Sequence, residues 1–356
     1  MKILVLSLKG LGDTLMALPL LRAMNAARPD ARLTVLVPDR TCGELLRGLP
    51  YVSAVRVGFR RPGPALIGQV LRLLWRLRAE RFDASVTTFP SNRPWYNLLA
   101  RWAGAPLRVT HGYAHRPLAT LACLQNRLVP SQPPRHEVEH NLDLLAPLGL
   151  PVPAAPDLAY EPAPEDKKFA EEFFAANGLA GAKVLGLHPA VNPAQVYKAW
   201  SPAAVKTLAA FADRAGSELG LKVIVFCGPD EKEAAAALLA NASGRHLIFG
   251  GGTLGRTAAL IARCSLFVNT DSGLGHLAAA VGTPAVTIFG PANPAMTRPY
   301  GERNAVVAPA LPCAPCYDYP YASTRPRVKC GGLDCLRDID LPRLMAAASK
   351  AMGKDA

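Results

Sequence analysis

Asp271, Ser272, Gly273 and His276 stand together in SLFVNTDSGLGHLAAAVGTPAVTIFG, residues 265–290, between two apolar runs. Residues 266–268 and 285–289 read as parallel strands buried on both faces, and 276–281 as a short helix closed by Gly282 and Pro284. A polar turn at the carboxyl end of a strand, running into a helix N-terminus, offers free backbone N–H groups that attract phosphate. The chemistry expected of 271–276 is to hold the phosphates of a nucleotide. Lys198, in VYKAWSP after one strand and before a helix, can neutralise a pyrophosphate. Glu231 or Glu233, after the next strand, can accept from ribose hydroxyls. All of these groups converge on one edge of one expected sheet.

A second polar turn, KGLGD, follows the first apolar run of the chain. Gly10 and Gly12 let the backbone turn sharply and leave room for a ligand, and Asp13 opens the next helix. Helix capping would account for this carboxylate. Its station, however, is again the carboxyl end of a strand, where the catalytic groups of such sheets appear.

Apolar runs alternate with helical spacings along both halves of the chain, which implies a parallel, right-handed α/β sheet in each. Strands are expected at 2–8, 32–37, 52–57, 84–88 and 107–110, with one helix over 14–27, a basic amphipathic helix over 66–78 and another over 95–102. Residues 151–165 are proline-rich and aperiodic, and read as a linker. The expected order is an α/β domain over 1–150, the linker, a second α/β domain over 166–310, a cysteine-rich segment over 311–337 and a terminal helix over 338–356. In that second domain the residues from His188 to Ser201 read as a long loop. The fold class is α/β, two doubly wound Rossmann-like domains facing across a cleft.

Charge is uneven: residues 1–150 carry 20 Lys and Arg against 9 Asp and Glu, so most of the formal net charge of +13 falls in the first half. Arginines such as Arg56, Arg60, Arg61, Arg72, Arg76 and Arg101 crowd one segment, and a basic face of this kind attracts polyanions. Apolar residues make up 50% of the chain, enough for two cores, yet no apolar run is long enough to span a bilayer. The N-terminus reads as a first strand of a cytoplasmic protein, since no small-residue cleavage site follows it.

Other constellations have plainer explanations. His136, Glu137 and His140 spell HEVEH, a zincin spacing, but no third ligand completes it. Residues 250–255 fit G-x-G-x-x-G with Asp271 downstream, which keeps an NAD(P)-dependent oxidoreductase open, although such a fingerprint belongs at the first strand of its domain. In Asp338-Ile339-Asp340, Asp340 stands where it would cap the terminal helix. Cys313, Cys316, Cys330 and Cys335 form two close pairs of soft ligands, suited to a structural zinc or iron, with reduced thiols as the alternative.

LSLKGLGDTLMALPLLRAM at the start and VNTDSGLGHLAAAVGTPAVTIFGP later, with KAW and CAPC…CGGLDCL, resemble the heptosyltransferases of glycosyltransferase family nine. The resemblance covers nearly the whole chain. It implies the two-domain GT-B fold, ADP-heptose bound by the C-terminal domain, inversion at the anomeric centre, and no metal in the chemistry. It also implies Asp13 as general base, Lys198 on the donor phosphates, Asp271, Ser272, Gly273 and His276 as the donor turn, and Glu231 as a looser match beside them. Gly10, Gly12, Arg60 and Arg61 would then face an anionic, lipid-linked saccharide of the lipopolysaccharide inner core. The implied partners are that acceptor, the nucleotide sugar and the inner-leaflet membrane surface, with no nucleic acid. The implied location is cytoplasmic and peripheral on the inner membrane. A sugar-nucleotide binding protein without transfer activity, in which Asp13 only caps, is the alternative of another class.

Overall fold

The fold is described from a computed structural model, covering residues 1–58, 66–113, 118–132, 134–189, 198–317, 333–337 and 339–353. The chain divides into two compact units, Met1–Leu158 and Ala159–Ala356, and the division falls inside the proline-rich stretch.

Unit 1 runs β1 (Lys2–Leu6), α1 (Leu11–Met16), α2 (Leu18–Ala27), β2 (Arg32–Val37), α3 (Arg40–Leu46), β3 (Ala54–Val57), α4 (Leu66–Ala79), β4 (Ala84–Thr87), α5 (Pro94–Ala103), β5 (Leu107–Gly112), β6 (Arg127–Pro130) and α6 (Glu137–Asp143). Its six described strands are all parallel, in the order β3-β2-β1-β4-β5-β6. The order reverses at β1, so β1 and β4 flank the switch point where α/β sheets place their ligands. The helix expected over 14–27 is two helices. Pro19, in the first turn of α2, lacks the N–H that would continue α1 and fits only a helix start. β6 lacks a sequence signal because RLVP is short and largely exposed at the sheet edge.

Unit 2 runs α7 (Pro164–Ala176), β7 (Val184–His188), α8 (Pro202–Leu219), β8 (Lys222–Cys227), α9 (Lys232–Asn241), β9 (Leu247–Gly250), α10 (Leu254–Ala262), β10 (Leu266–Thr270), α11 (Gly273–Ala280), β11 (Ala285–Ile288), α12 (Pro294–Thr297), β12 (Ala305–Val307) and α13 (Leu341–Ala351). The strand order β12-β11-β10-β7-β8-β9 is the same doubly wound pattern, with the switch point between β7 and β10. One side of this sheet packs Leu185, Leu187, Val223, Val225, Leu266 and Val268 with α8 and α13. The rings of Phe226, Phe249 and Phe267 stack edge to face elsewhere on it. Gly186, in mid-β7, makes that stack possible, because a Cβ there would come within 2.5 Å of the Phe267 ring. Asp340 caps α13 through a 2.9 Å bond from the Arg343 N–H, as expected.

Unit 1 buries one titratable group with little support. His111, on β5, is wholly buried against Phe89 and His140, and neither ring nitrogen has a hydrogen-bond partner among the described residues. Burial, and then the neighbouring His140, push its pKa from 6.5 down to about 3. Burial lowers His140 as well. The folded ring stays neutral over a range where the unfolded chain takes up a proton, so stability falls as pH drops from about 6.5 towards about 3. Going from neutral to about pH 5, this site alone costs about 2 kcal/mol. Thermal melts are expected to show that loss, and His111→Phe should lose markedly less; an identical pH dependence in the variant would contradict the assignment.

Candidate functional site

The site in unit 2 is built around a histidine that ends a strand. β7 and β10 are paired with Asn269 opposite His188, so both strands deliver their last residues to the switch point. His188 is 3% exposed. Its Nδ1 lies 3.1 Å from the Ser272 Oγ and its Nε2 lies 3.0 Å from the Glu231 Oε2. The same Glu231 oxygen accepts a 2.7 Å bond from the Gly228 N–H. Burial opposes the charged form of Glu231, but the bonds from His188 and Gly228 outweigh it and hold its pKa below the usual carboxylate range. Of the two glutamates considered, Glu231 therefore belongs to the site, whereas Glu233 is exposed in the first turn of α9.

Ser272 occupies the N-cap position of α11 but makes no side-chain cap, since its hydroxyl is engaged by His188. The first turn of α11 is thereby left to bind with backbone N–H groups alone, the arrangement that suits an anion. Beside it, the Lys198 Nζ stands 2.6 Å from the Asp271 Oδ2, with both side chains largely buried. Asp271 follows β10 directly, and its own N–H bonds the Ile288 carbonyl at 3.1 Å. His276 is buried further along α11. Lys198, Glu231, Asp271, Ser272 and Gly273 are thus gathered where two central strands end.

Gly275 explains how α11 comes so close to β10. A Cβ at this position would lie 2.3 Å from the Asn269 Nδ2. Asn269 is buried and cannot retreat, because its Oδ1 accepts a 3.0 Å bond from Thr287 Oγ1 on β11 and its Nδ2 bonds the Thr270 carbonyl.

In unit 1, Asp13 is the third residue of α1, half-buried, and its Oδ2 accepts a 3.1 Å bond from the Gly10 N–H. Asp13 therefore does cap, from within the helix. Gly10 is the N-cap residue, while Gly12 lies inside the first turn of α1 and not in the preceding loop. The Cys42 thiol, raised to about 12 mainly by burial and then by Asp39, also feels the Asp13 charge. The whole turn sits at the switch point of the unit 1 sheet.

The sequence model of glycosyltransferase family 9 (heptosyltransferase) matches residues 70–324. The chain belongs to that family. Among curated relatives, lipopolysaccharide heptosyltransferase 3 of Escherichia coli is 28% identical over 299 residues, 82% of this chain and 84% of that protein. Lipopolysaccharide heptosyltransferase 2 of E. coli strain K12 is 28% identical over 323 residues, 86% and 88% of the two chains. Among solved structures, the family 9 glycosyl transferase of Veillonella parvula DSM 2008 superposes with a TM-score of 0.80 at 23% identity, covering 99% of this chain and 98% of that one. E. coli ADP-heptose lps heptosyltransferase II gives 0.74 at 23% identity, covering 99% of each. The fold of this glycosyltransferase is GT-B.

Other candidate residues of this glycosyltransferase fare differently. Arg60, Arg61, Cys330, Asp338 and much of the expected loop before Lys198, residues 190–197, lie outside the described residues. Among the described residues no group of three His, Cys, Asp or Glu side chains could hold a metal. Cys316 and Cys335 are buried near one turn: the Cys316 N–H bonds the Pro291 carbonyl at 3.0 Å, and the Cys335 Sγ lies 3.8 Å from a Cβ built on Gly290. The HEVEH histidines are engaged locally, His136 accepting from the Val138 N–H and His140 from the Gln132 N–H. The glycine run at 250–255 follows the edge strand β9, where Gly252 meets the Phe249 ring and Gly255 meets Asp166 of α7. Packing accounts for these glycines, and family membership replaces the oxidoreductase reading.

His188 was assigned to a loop by sequence, yet it is the last residue of β7 and the centre of the site. The available signal was a single polar residue ending an apolar run, ten residues before Lys198. Gly275→Ala is expected to force α11 away from Asn269, at a cost of about 1–3 kcal/mol in stability. Calorimetric melts of the full chain check this, and an unchanged melting temperature would refute the close approach as a constraint.

Proposed function

We propose that this glycosyltransferase transfers heptose from ADP-heptose, with inversion, to a hydroxyl of the lipopolysaccharide inner core. The observation that carries the proposal is the Lys198 and Asp271 pair beside the uncapped start of α11. Such a site suits a nucleoside diphosphate: an ammonium and backbone N–H groups for the phosphates, and the ionised Glu231 as an acceptor for ribose hydroxyls. The relatives add the sugar, for two of them are named as lipopolysaccharide heptosyltransferases and one solved structure as an ADP-heptose enzyme.

In this reading Asp13 takes the proton of the acceptor hydroxyl as the oxygen attacks the anomeric carbon. Its bond from Gly10 orients the carboxylate through one oxygen, and a carboxylate has lone pairs for further partners. The C–O bond to the diphosphate breaks as the new one forms, and Lys198 with the first turn of α11 stabilises the negative charge that develops on the leaving group. No metal takes part in this chemistry. Cys313, Cys316, Cys330 and Cys335 are proposed to hold a structural zinc or iron, supported by the burial of Cys316 and Cys335 about one turn and by the softness of the donor set. Gly10 and Gly12, with Arg60 and Arg61, are proposed to meet an anionic, lipid-linked acceptor. The enzyme would then act in the cytoplasm, peripheral on the inner membrane, and bind no nucleic acid.

Asp13→Ala is expected to lower kcat by about 100-fold or more while ADP affinity stays the same. If turnover survives, Asp13 only caps and the base lies elsewhere. Lys198→Ala should weaken ADP binding by about 10-fold or more in calorimetry, the loss of a charge-assisted contact. Incubation with ADP-heptose, with and without a truncated core acceptor and read by mass spectrometry, separates transfer from mere binding: product only in the presence of acceptor supports the proposal, and none in either case overturns it.

A further inference from the structure

α4 has two apolar faces, and only one of them is covered. Leu73, Leu74 and Leu77 pack onto the sheet with Tyr96, Leu99, Ala100 and Ala103 of α5, so the two helices lie on the same side of unit 1. The outward stripe of α4 is Ile67, Leu71 and Trp75, spaced four residues apart and 72%, 58% and 71% exposed. α5 continues it with Leu98 and Trp102, spaced four apart and about half exposed. Arg78 links the helices, donating from Nη1 to the Trp102 carbonyl at 3.2 Å and covering Gly104 at the end of α5. Large apolar side chains in a contiguous exposed patch mark a docking surface.

The charge around the patch identifies what docks. Arg72 and Arg76 on α4 and Arg101 on α5 are exposed, and neither helix carries an aspartate or glutamate. The acid that follows α4, Glu80, is paired with Arg56 at 3.0 Å. A second copy meeting this face through a two-fold axis would set arginines against arginines. Exposed tryptophans with apolar bodies and polar N–H groups, flanked by arginines, suit instead the boundary between acyl chains and anionic headgroups. No described helix is long and apolar enough to cross a membrane, so contact through this face would be lateral.

We infer that the outer faces of α4 and α5 dock this enzyme onto an anionic lipid bilayer. The inference extends the reading of a lipid-linked acceptor, because docking here would bring the enzyme to the surface that presents it.

The test uses the full chain with vesicles of phosphatidylcholine, with and without phosphatidylglycerol. Sedimentation with the phosphatidylglycerol vesicles alone is expected, weakened by salt, with a blue shift of tryptophan emission and quenching by brominated lipid. Three of the four tryptophans, Trp75, Trp95 and Trp102, lie on these helices, so the emission reports on the face itself. Trp75→Ala with Trp102→Ala, and separately Arg72→Ala with Arg76→Ala, should each weaken vesicle binding by about 10-fold or more. Both pairs should leave the melting temperature unchanged, and also turnover on a soluble acceptor stripped of lipid. Absence of selective binding to anionic vesicles, or equal binding by the variants, overturns the inference. So does a dimer in sedimentation velocity that the tryptophan pair abolishes while vesicle binding persists. Vesicle binding without turnover on the soluble acceptor would sink the proposed transfer and leave the docking face standing; turnover without vesicle binding would do the reverse.

Discussion

A buried imidazole with a partner at each nitrogen holds the unit 2 site of this glycosyltransferase in register. Glu231, held below the usual carboxylate range, accepts, so the His188 Nε2 carries a proton towards it while Nδ1 meets the Ser272 hydroxyl. One ring thereby joins the end of β7, the turn before α9 and the start of α11. Each joined segment contributes a polar group at the switch point of the sheet. Without the ring, Glu231 would keep its burial cost with less to oppose it, and Ser272 would be released to cap its own helix.

The two units share a strand order and place different polar groups at their switch points, after the first strand in unit 1 and after the fourth in unit 2. In unit 1 the helix after β1 is capped from within by Asp13, so a carboxylate stands at the sheet's switch point. In unit 2 the helix after β10 has its capping hydroxyl drawn aside, so backbone donors and Lys198 stand there. A carboxylate can accept a proton, and an ammonium beside free backbone N–H groups can hold an anion. The difference arises from where a single acid or hydroxyl finds its partner.

Much of this was legible before the structure. The strand and turn pattern of 265–290 and the cap by Asp340 follow from local periodicity and capping chemistry, which neighbours in sequence determine. His188 was not legible, because its importance lies in partners 43 and 84 residues away. The break between α1 and α2 was missed although Pro19 announces it, since the apolar spacing continues across it. The glycines at 250–255 misled in the other direction: glycine permits close approach to a phosphate or to a neighbouring helix, and only the contacts of Gly252 and Gly255 tell which. The arginine count announced a basic face, but the second apolar stripe of α4 became visible only once its first was known to be covered.

Gly104 closes α5 in the left-handed region, with φ of 80°, and a Cβ there would lie 2.3 Å from the Arg78 Nη1. The space beside Gly104 is therefore taken by the tip of the side chain that ties α4 to α5. A side chain at 104 would push the flexible end of Arg78 aside, and with it the bond to the Trp102 carbonyl. Loss of the arginine frees space at 104 but not backbone, since the positive φ still favours glycine. The left-handed turn thus reserves position 104 for glycine, and the reach of the arginine to α5 depends on that small residue.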